Sequence, residues 1–238
     1  MNIVLVHGIF DSGAIFKHLV CALEEQGHKC WVPTLKPSDG RRGIHDLALK
    51  LKGYIDENIG PNAELALVGF SMGCIVSRQY MQNLGGAHRT KAFFSISGPH
   101  RGTLTAYLYF GQGAKDMRPG SEMLRSLRQS ENRLSEVHLF AYWTSRDIMI
   151  FPASSCSWSA ASHVLNVKAM LHRFMPSNRQ VCADIVQQMN SLTGCSKTRL
   201  PLNDNIESPR PEGRGFLDTL RGSLRLRKTL VSLTSPLI

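Results

Sequence analysis

Apolar residues in this chain recur at two spacings that take turns along its length. The run Ile3-Val4-Leu5-Val6 predicts a short buried strand, and residues 14–26 then carry Ile15, Leu19, Ala22 and Leu23 at helical spacing until Gly27 stops the pattern. Residues 29–33 read as a second short strand. A loop at 36–43, with Pro37, Asp39-Gly40 and two arginines, leads into residues 44–59, where Leu47, Leu51, Tyr54 and Ile55 share a helical face. Pro61-Asn62 turns the chain into a third strand at 64–70, and a helix-forming run occupies 75–84. Further strands are expected at 91–96, 137–144 and 163–169, before a helix that Ser177 or Asn178 caps and that runs to about Met189 with Val181 and Ile185 on its apolar side. Strand and helix alternate, which predicts an α/β fold: a mostly parallel sheet with helices on both faces. Ligand sites in such sheets lie at the carboxyl ends of the strands.

The chain's 238 residues are enough for one sizeable domain with a proper core, expected at residues 1–195. Residues 196–238 differ in composition. They are rich in Pro, Arg, Ser and Gly up to Gly215, as in segments too polar to pack. Beyond that point Leu217, Leu220, Leu224 and Val231 recur at helical spacing, with Arg214, Arg221, Arg225 and Lys228 on another face. A basic amphipathic helix there suits peripheral contact with an anionic membrane; a floppy tail, or a helix packed on the domain, is the alternative. The formal net charge is +10, and the tail, with eight Lys/Arg against four Asp/Glu, supplies four of those charges. Basic residues are not interleaved with aromatics as single-strand nucleic-acid binders require, so no nucleic-acid partner is expected. No apolar run approaches the roughly eighteen residues of a spanning helix. No basic stretch, apolar segment and cleavage site open the chain, and the expectation is a cytoplasmic protein. The six cysteines, Cys21, Cys30, Cys74, Cys156, Cys182 and Cys195, form no CxxC pair or metal-ligand spacing. Free thiols are expected, with a Cys156–Cys195 bridge as the lesser alternative, and neither metal nor cofactor.

Candidate chemistry begins where the third strand meets its helix, at Gly69-Phe70-Ser71-Met72-Gly73. A strand running through Gly-x-Ser-x-Gly into a helix is a nucleophile elbow: the serine sits at the tip of a strained turn, and the flanking glycines remove Cβ atoms that would collide. The amide of Met72, first in the helix, faces the space before Ser71 and supplies half of an oxyanion hole, helped by the helix dipole. At the end of the first strand, His7-Gly8-Ile9-Phe10 forms a tight loop. Gly8 lets the backbone approach a ligand, and the amide of Ile9 or Phe10 supplies the second donor. His7, ahead of the elbow in the chain, orients this loop.

The elbow is followed by Gly98-Pro99-His100-Arg101-Gly102-Thr103, and this combination resembles the α/β-hydrolase superfamily, in particular its bacterial lipases and esterases. The stretch Asp116-Met117-Arg118-Pro119-Gly120-Ser121-Glu122-Met123-Leu124 is also similar to a segment of those proteins, one that covers the active site there. The resemblance spans roughly residues 1–195 and implies an α/β-hydrolase fold with a small cap. It departs from the pattern at Ser97, where threonine is more usual, and in the long tail. Read from its own residues, the region about 104–133 has short amphipathic pieces broken by Gly111, Gly113 and Pro119-Gly120, which suits a mobile cap over an apolar pocket. An ordinary pair of surface helices is the alternative.

An aspartate just past a strand's carboxyl end is where the family places its triad acid, and Asp147 holds that position. The order Ser71, Asp147, His172 matches the nucleophile, acid and base order of this fold. The chemistry needs all three, because a serine hydroxyl is a poor nucleophile until an imidazole, held in one tautomer by a carboxylate, takes its proton. His163 is the rival base, set aside because it falls at the wrong end of the last strand. Asp116, in the cap region, is the rival acid. His100 is read as ordering its own loop. The expected function is a serine esterase or lipase acting on a small-molecule ester or lipid. A thioesterase or acyltransferase on the same fold is the first alternative, and a non-catalytic binding module the second. Oligomeric state, acyl chain length and alcohol group are left open.

Overall fold

A computed structural model describes residues 1–169 and 171–194. The tail and Cys195 lie outside the described residues. Six strands form one sheet: β1 (Asn2–Val6), β2 (Lys29–Trp31), β3 (Leu65–Phe70), β4 (Thr90–Ile96), β5 (His138–Trp143) and β6 (His163–Asn166). They lie in the order β2-β1-β3-β4-β5-β6, and every neighbouring pair is parallel. Among the described residues six α-helices connect and cover them: α1 (Lys17–Glu25), α2 (Ile44–Asn58), α3 (Met72–Asn83), α4 (Gln112–Asp116), α5 (Glu122–Gln129) and α6 (Arg179–Thr193). The last strand ends at Asn166, shorter than the apolar pattern suggested, and the first helix opens with a 3-10 turn over Gly13–Phe16.

The strands are apolar without polar alternation because both faces of the sheet are buried. Successive residues therefore feed two cores. Val4, Val6, Leu65, Leu67, Phe93 and Leu139 pack on one side with α2, α3 and α5. Ile3, Leu5, Ala66, Val68, Phe94 and Phe140 pack on the other with α1 and α6. Helix ends are closed by named side chains. Asn178 Oδ1 accepts the amides of Gln180 and Val181 at the start of α6, and Gly194 ends that helix at φ 65°. Asp116 Oδ2 accepts the amide of Ile44, the first residue of α2, at 2.8 Å. That carboxylate is spent on a helix terminus, where its charge also complements the dipole.

The elbow strand β3 lies between β1 and β4, so the loops after all three strands meet at one edge. The helix that follows sits hard against the end of β1. A Cβ on Gly73 would lie 2.1 Å from the carbonyl oxygen of Val6 and 2.6 Å from that of His7, and one on Gly69 would lie 2.8 Å from Cys74 Cα. Gly69 thus faces the first turn of α3, whereas Gly73 faces β1. Both obstacles are backbone atoms, which cannot step aside as a side-chain tip can. Gly73→Ala is therefore expected to lower the thermal unfolding midpoint by at least about 4 °C or to abolish soluble expression, a cost above about 2 kcal/mol. Gly8→Ala, whose Cβ would meet side-chain atoms at 3.2 Å, is expected to shift the midpoint less; differential scanning calorimetry compares the two.

Candidate active site

Ser71 stands between β3 and α3 at φ 53°, ψ −121°, a backbone state that residues with a Cβ adopt only under strain. Its amide donates to Ile96 O at 2.9 Å, which ties the turn to the end of β4, and its carbonyl accepts the amide of Cys74 at 3.0 Å. These bonds and the packing of Gly73 hold the turn against its strain.

Asp147 lies in the turn after β5, and its side chain is fully buried. Oδ1 accepts the amides of Met149 and Ile150, each at 2.9 Å. Oδ2 faces His172 Nδ1 at 2.7 Å. His172 follows β6 and is nearly buried, its ring 4.9 Å from that of Phe70 on the elbow strand. With Nδ1 held by the carboxylate, Nε2 is the ring nitrogen left for chemistry. Ser71 and His172 line one cavity of about 300 Å³, together with Ile9, Phe70, Thr103, Ala106, Ala114, Met117 and Ile150. Ser71 Oγ makes no hydrogen bond among the described residues, an open geometry usual for a nucleophile before substrate arrives.

The loop after β1 borders the same cavity through Ile9, Phe10 and Asp11. Of its two candidate oxyanion donors, Phe10 uses its amide on Ser38 O at 2.9 Å, which leaves the amide of Ile9 as the candidate from this loop. His7 is buried and bridges two segments: Nδ1 donates to Gly8 O at 2.8 Å, and Nε2 accepts the amide of Leu35 at 2.9 Å. Burial holds its pKa below the ordinary histidine value, opposed by the Gly8 bond and by Asp11. The imidazole is a neutral brace between the ends of β1 and β2.

The rivals have other partners. His163 Nε2 meets Asp184 Oδ2 at 3.0 Å, and the same oxygen accepts Tyr142 Oη at 2.7 Å. None of these three lines the cavity. Asp116 caps α2. His100 stacks on Trp158 at 4.3 Å, faces Ser95 Oγ through Nε2 at 2.7 Å and accepts from Arg78 through Nδ1 at 3.3 Å.

Arg78 is the residue that pattern reading passed over. It is 1% exposed on α3 and donates to Leu127 O, to Glu131 Oε1 and to Gln82 Oε1, each at about 3 Å, with its guanidinium 4.6 Å from the Trp158 ring. Burial brings its pKa down to about 10, with Glu131 opposing. Nothing in the sequence signals this: Arg78 shares a helical stripe with Gln79, Gln82 and Asn83, a pattern that reads as a solvent face. Its bonds fasten α5 and the turn after it to α3. Ala106 and Met117 border the cavity and also belong to the core that holds Leu124, Leu127 and Leu134. Thr103 and Thr105 were also missed. Thr103 Oγ1 accepts the amide of Phe151 at 2.8 Å and Thr105 Oγ1 donates to Met149 O at 2.6 Å, which stitches the cavity roof to the turn carrying Asp147.

No family model matches the chain. The mature lipase BlEst2 of Bacillus licheniformis superposes with a TM-score of 0.64 over 80% of this chain and 91% of that one, at 17% identity. Polyneuridine aldehyde esterase superposes with a TM-score of 0.57 over 79% of this chain and 98% of that one, at 19% identity. The fold is that of the α/β-hydrolases. At such identities the likeness concerns architecture and not activity. In sequence, the chain is similar to the mouse lysosomal thioesterase PPT2, 30% identical over 105 residues that make up 42% of this chain and 34% of that protein. It thus spans about a third of the length of the curated relatives it matches. Among the described residues, no helix of this hydrolase fold is long and apolar enough to cross a membrane.

His7, His28 and His100 are all held below the ordinary histidine pKa by burial, His100 furthest, with Arg78 and Arg101 adding to the effect. An unfolded chain takes up protons near pH 6.5 that the folded one refuses, so stability is full above that value and falls as pH drops below it. Scanning fluorimetry between pH 8 and 5 is expected to show the unfolding midpoint declining below about pH 6.5. His100→Gln is expected to lower the midpoint at neutral pH and flatten that decline.

Proposed function

We propose that this chain is a serine hydrolase that cleaves carboxylic esters through an acyl-enzyme. The observation that carries the reading is the 2.7 Å bond from His172 to the buried Asp147, in one apolar cavity with a serine on a strained elbow. In this reading His172 Nε2 takes the proton of Ser71 Oγ as the oxygen attacks the ester carbonyl. The amides of Met72 and Ile9 hold the resulting oxyanion, and the alcohol leaves with the proton from Nε2. Water then attacks the acyl carbonyl with His172 again as base, which frees the acid and restores Ser71. Asp147 keeps its charge and holds the imidazole in one tautomer. No cofactor takes part in this scheme. The five free thiols among the described residues fit the reducing, cytoplasmic setting that goes with it.

Thioesters are the second substrate class, favoured by the likeness to lysosomal thioesterase PPT2. The attack is the same, and only the leaving group differs. The cavity is at the lower end of the volume range for ligand pockets and has apolar walls, so it suits a short to medium acyl chain.

With p-nitrophenyl esters from acetate to palmitate, Ser71→Ala and His172→Ala are each expected to lower kcat by at least about 10⁴-fold, while His163→Ala stays within about twofold of wild type. Wild type without turnover on these esters and on the matching thioesters, or equal rates in Ser71→Ala, would overturn the hydrolase reading. Ala114 and Ala106 are small residues in the cavity wall. Ala114→Phe is expected to cut kcat/KM for octanoate by about tenfold or more and to leave acetate within about threefold, since added bulk removes space for the chain and not for the carbonyl.

A further inference from the structure

Large apolar side chains stand out of the surface on the segments that frame the cavity mouth. Leu108 is 78% exposed, Phe110 97% and Ile148 70%, with Phe10, Leu104 and Phe151 each about half exposed or more. They form one face. Leu104, Leu108, Ile148 and Phe151 line a shallow depression with Arg146, and it shares Thr105 with the cavity that holds Ser71. The amide of Leu104 donates to Phe151 O at 2.8 Å, and the Phe10 ring lies 6.0 Å from that of Tyr109, next to Phe110. Scattered apolar residues on a surface need no explanation, but a cluster with polar surroundings does.

Cations outnumber free acids around this face; Asp39, in the loop that accepts the Phe10 amide through Ser38, is paired with Arg41 at 2.8 Å. Residues 101–121 contain a single acid, Asp116, and residues 145–173 a single acid, Asp147; both are buried. The same segments expose Arg101, Lys115, Arg146, Lys168 and Arg173. Asp11 at the mouth is mostly covered and faces Arg173 at 3.7 Å. A second copy of this chain would set these cations against its own. An anionic surface that also accepts apolar side chains meets both requirements at once.

We propose that the face around the cavity mouth docks on an anionic lipid surface, with Leu108, Phe110, Ile148 and Phe151 entering the acyl boundary and Arg146 and Arg173 against lipid phosphates. Attachment of this kind grows with buried apolar area and with each cation near the surface, and salt weakens the second part. It uses the folded body, not the tail, and it brings the mouth of the cavity to the lipid. The docking does not depend on which acyl bond Ser71 attacks.

The test is co-sedimentation of the full chain, carrying Ser71→Ala so that no lipid is consumed, with vesicles of phosphatidylcholine alone or with about 30% phosphatidylglycerol. The protein is expected to bind the anionic vesicles and to be released largely by about 0.5 M salt. Leu108→Ser with Phe110→Ser is expected to weaken binding at least tenfold, and Arg146→Glu several-fold, with unfolding midpoints unchanged because these side chains are exposed. Failure to bind anionic vesicles would overturn the proposal. So would wild-type binding in the double variant, which would assign attachment to the tail. A dimer in gel filtration that the double variant loses, without vesicle binding, would make the face a contact between copies and would also overturn it.

Discussion

The close approach of the first turn of α3 to the carbonyl end of β1 is the constraint on which the site depends. Only a hydrogen atom fits between Gly73 and the carbonyl oxygen of Val6, so the helix start, the strand end and the turn between them occupy one fixed arrangement. That arrangement sets Ser71 at the tip of its turn, at the edge of the cavity that Ile9 also lines. The strain at Ser71 survives because the surrounding backbone allows no relaxed alternative. The parallel sheet then brings the loops after β1, β3, β4 and β5 to the same edge, and His172 joins them from beyond β6.

The imidazoles of this protein show how environment divides one side chain among several tasks. His7 and His100 are buried among neutral partners or next to a cation and are kept uncharged, so they serve as fixed braces. His163 is half exposed and shares Asp184 with a tyrosine, away from the cavity. His172 alone combines a buried carboxylate on Nδ1 with a cavity shared with a serine. The buried guanidinium of Arg78 supports the elbow helix from behind. Taking such a charge out of water costs several kcal/mol unless its donors are met, and here carbonyl, carboxylate and amide oxygens meet them.

The roof of the cavity and the acid turn are joined by Thr103 and Thr105, and α5 is packed into the core beside them. Arg78 fastens α5 to α3. Hydropathy does not register this, because a short helix packed on a core and one hinged over a cavity both need a single apolar stripe.

Alternating strand and helix periods determined the α/β class, the parallel sheet and the edge at which chemistry would gather, since each is a consequence of local sterics and burial. The elbow was legible for the same reason: Gly69 and Gly73 report backbone contacts that no other residue permits. Order along the chain and strand-end position also favoured Asp147 and His172 over their rivals. Tertiary structure decided what depends on distance between remote segments. It gave Asp116 to the terminus of α2, spent the amide of Phe10 on Ser38 and left that of Ile9, paired His163 with Asp184, and buried Arg78. Each of these is a hydrogen bond or ion pair between residues far apart in the chain, and a linear pattern of apolar and polar positions carries no record of which polar groups will meet.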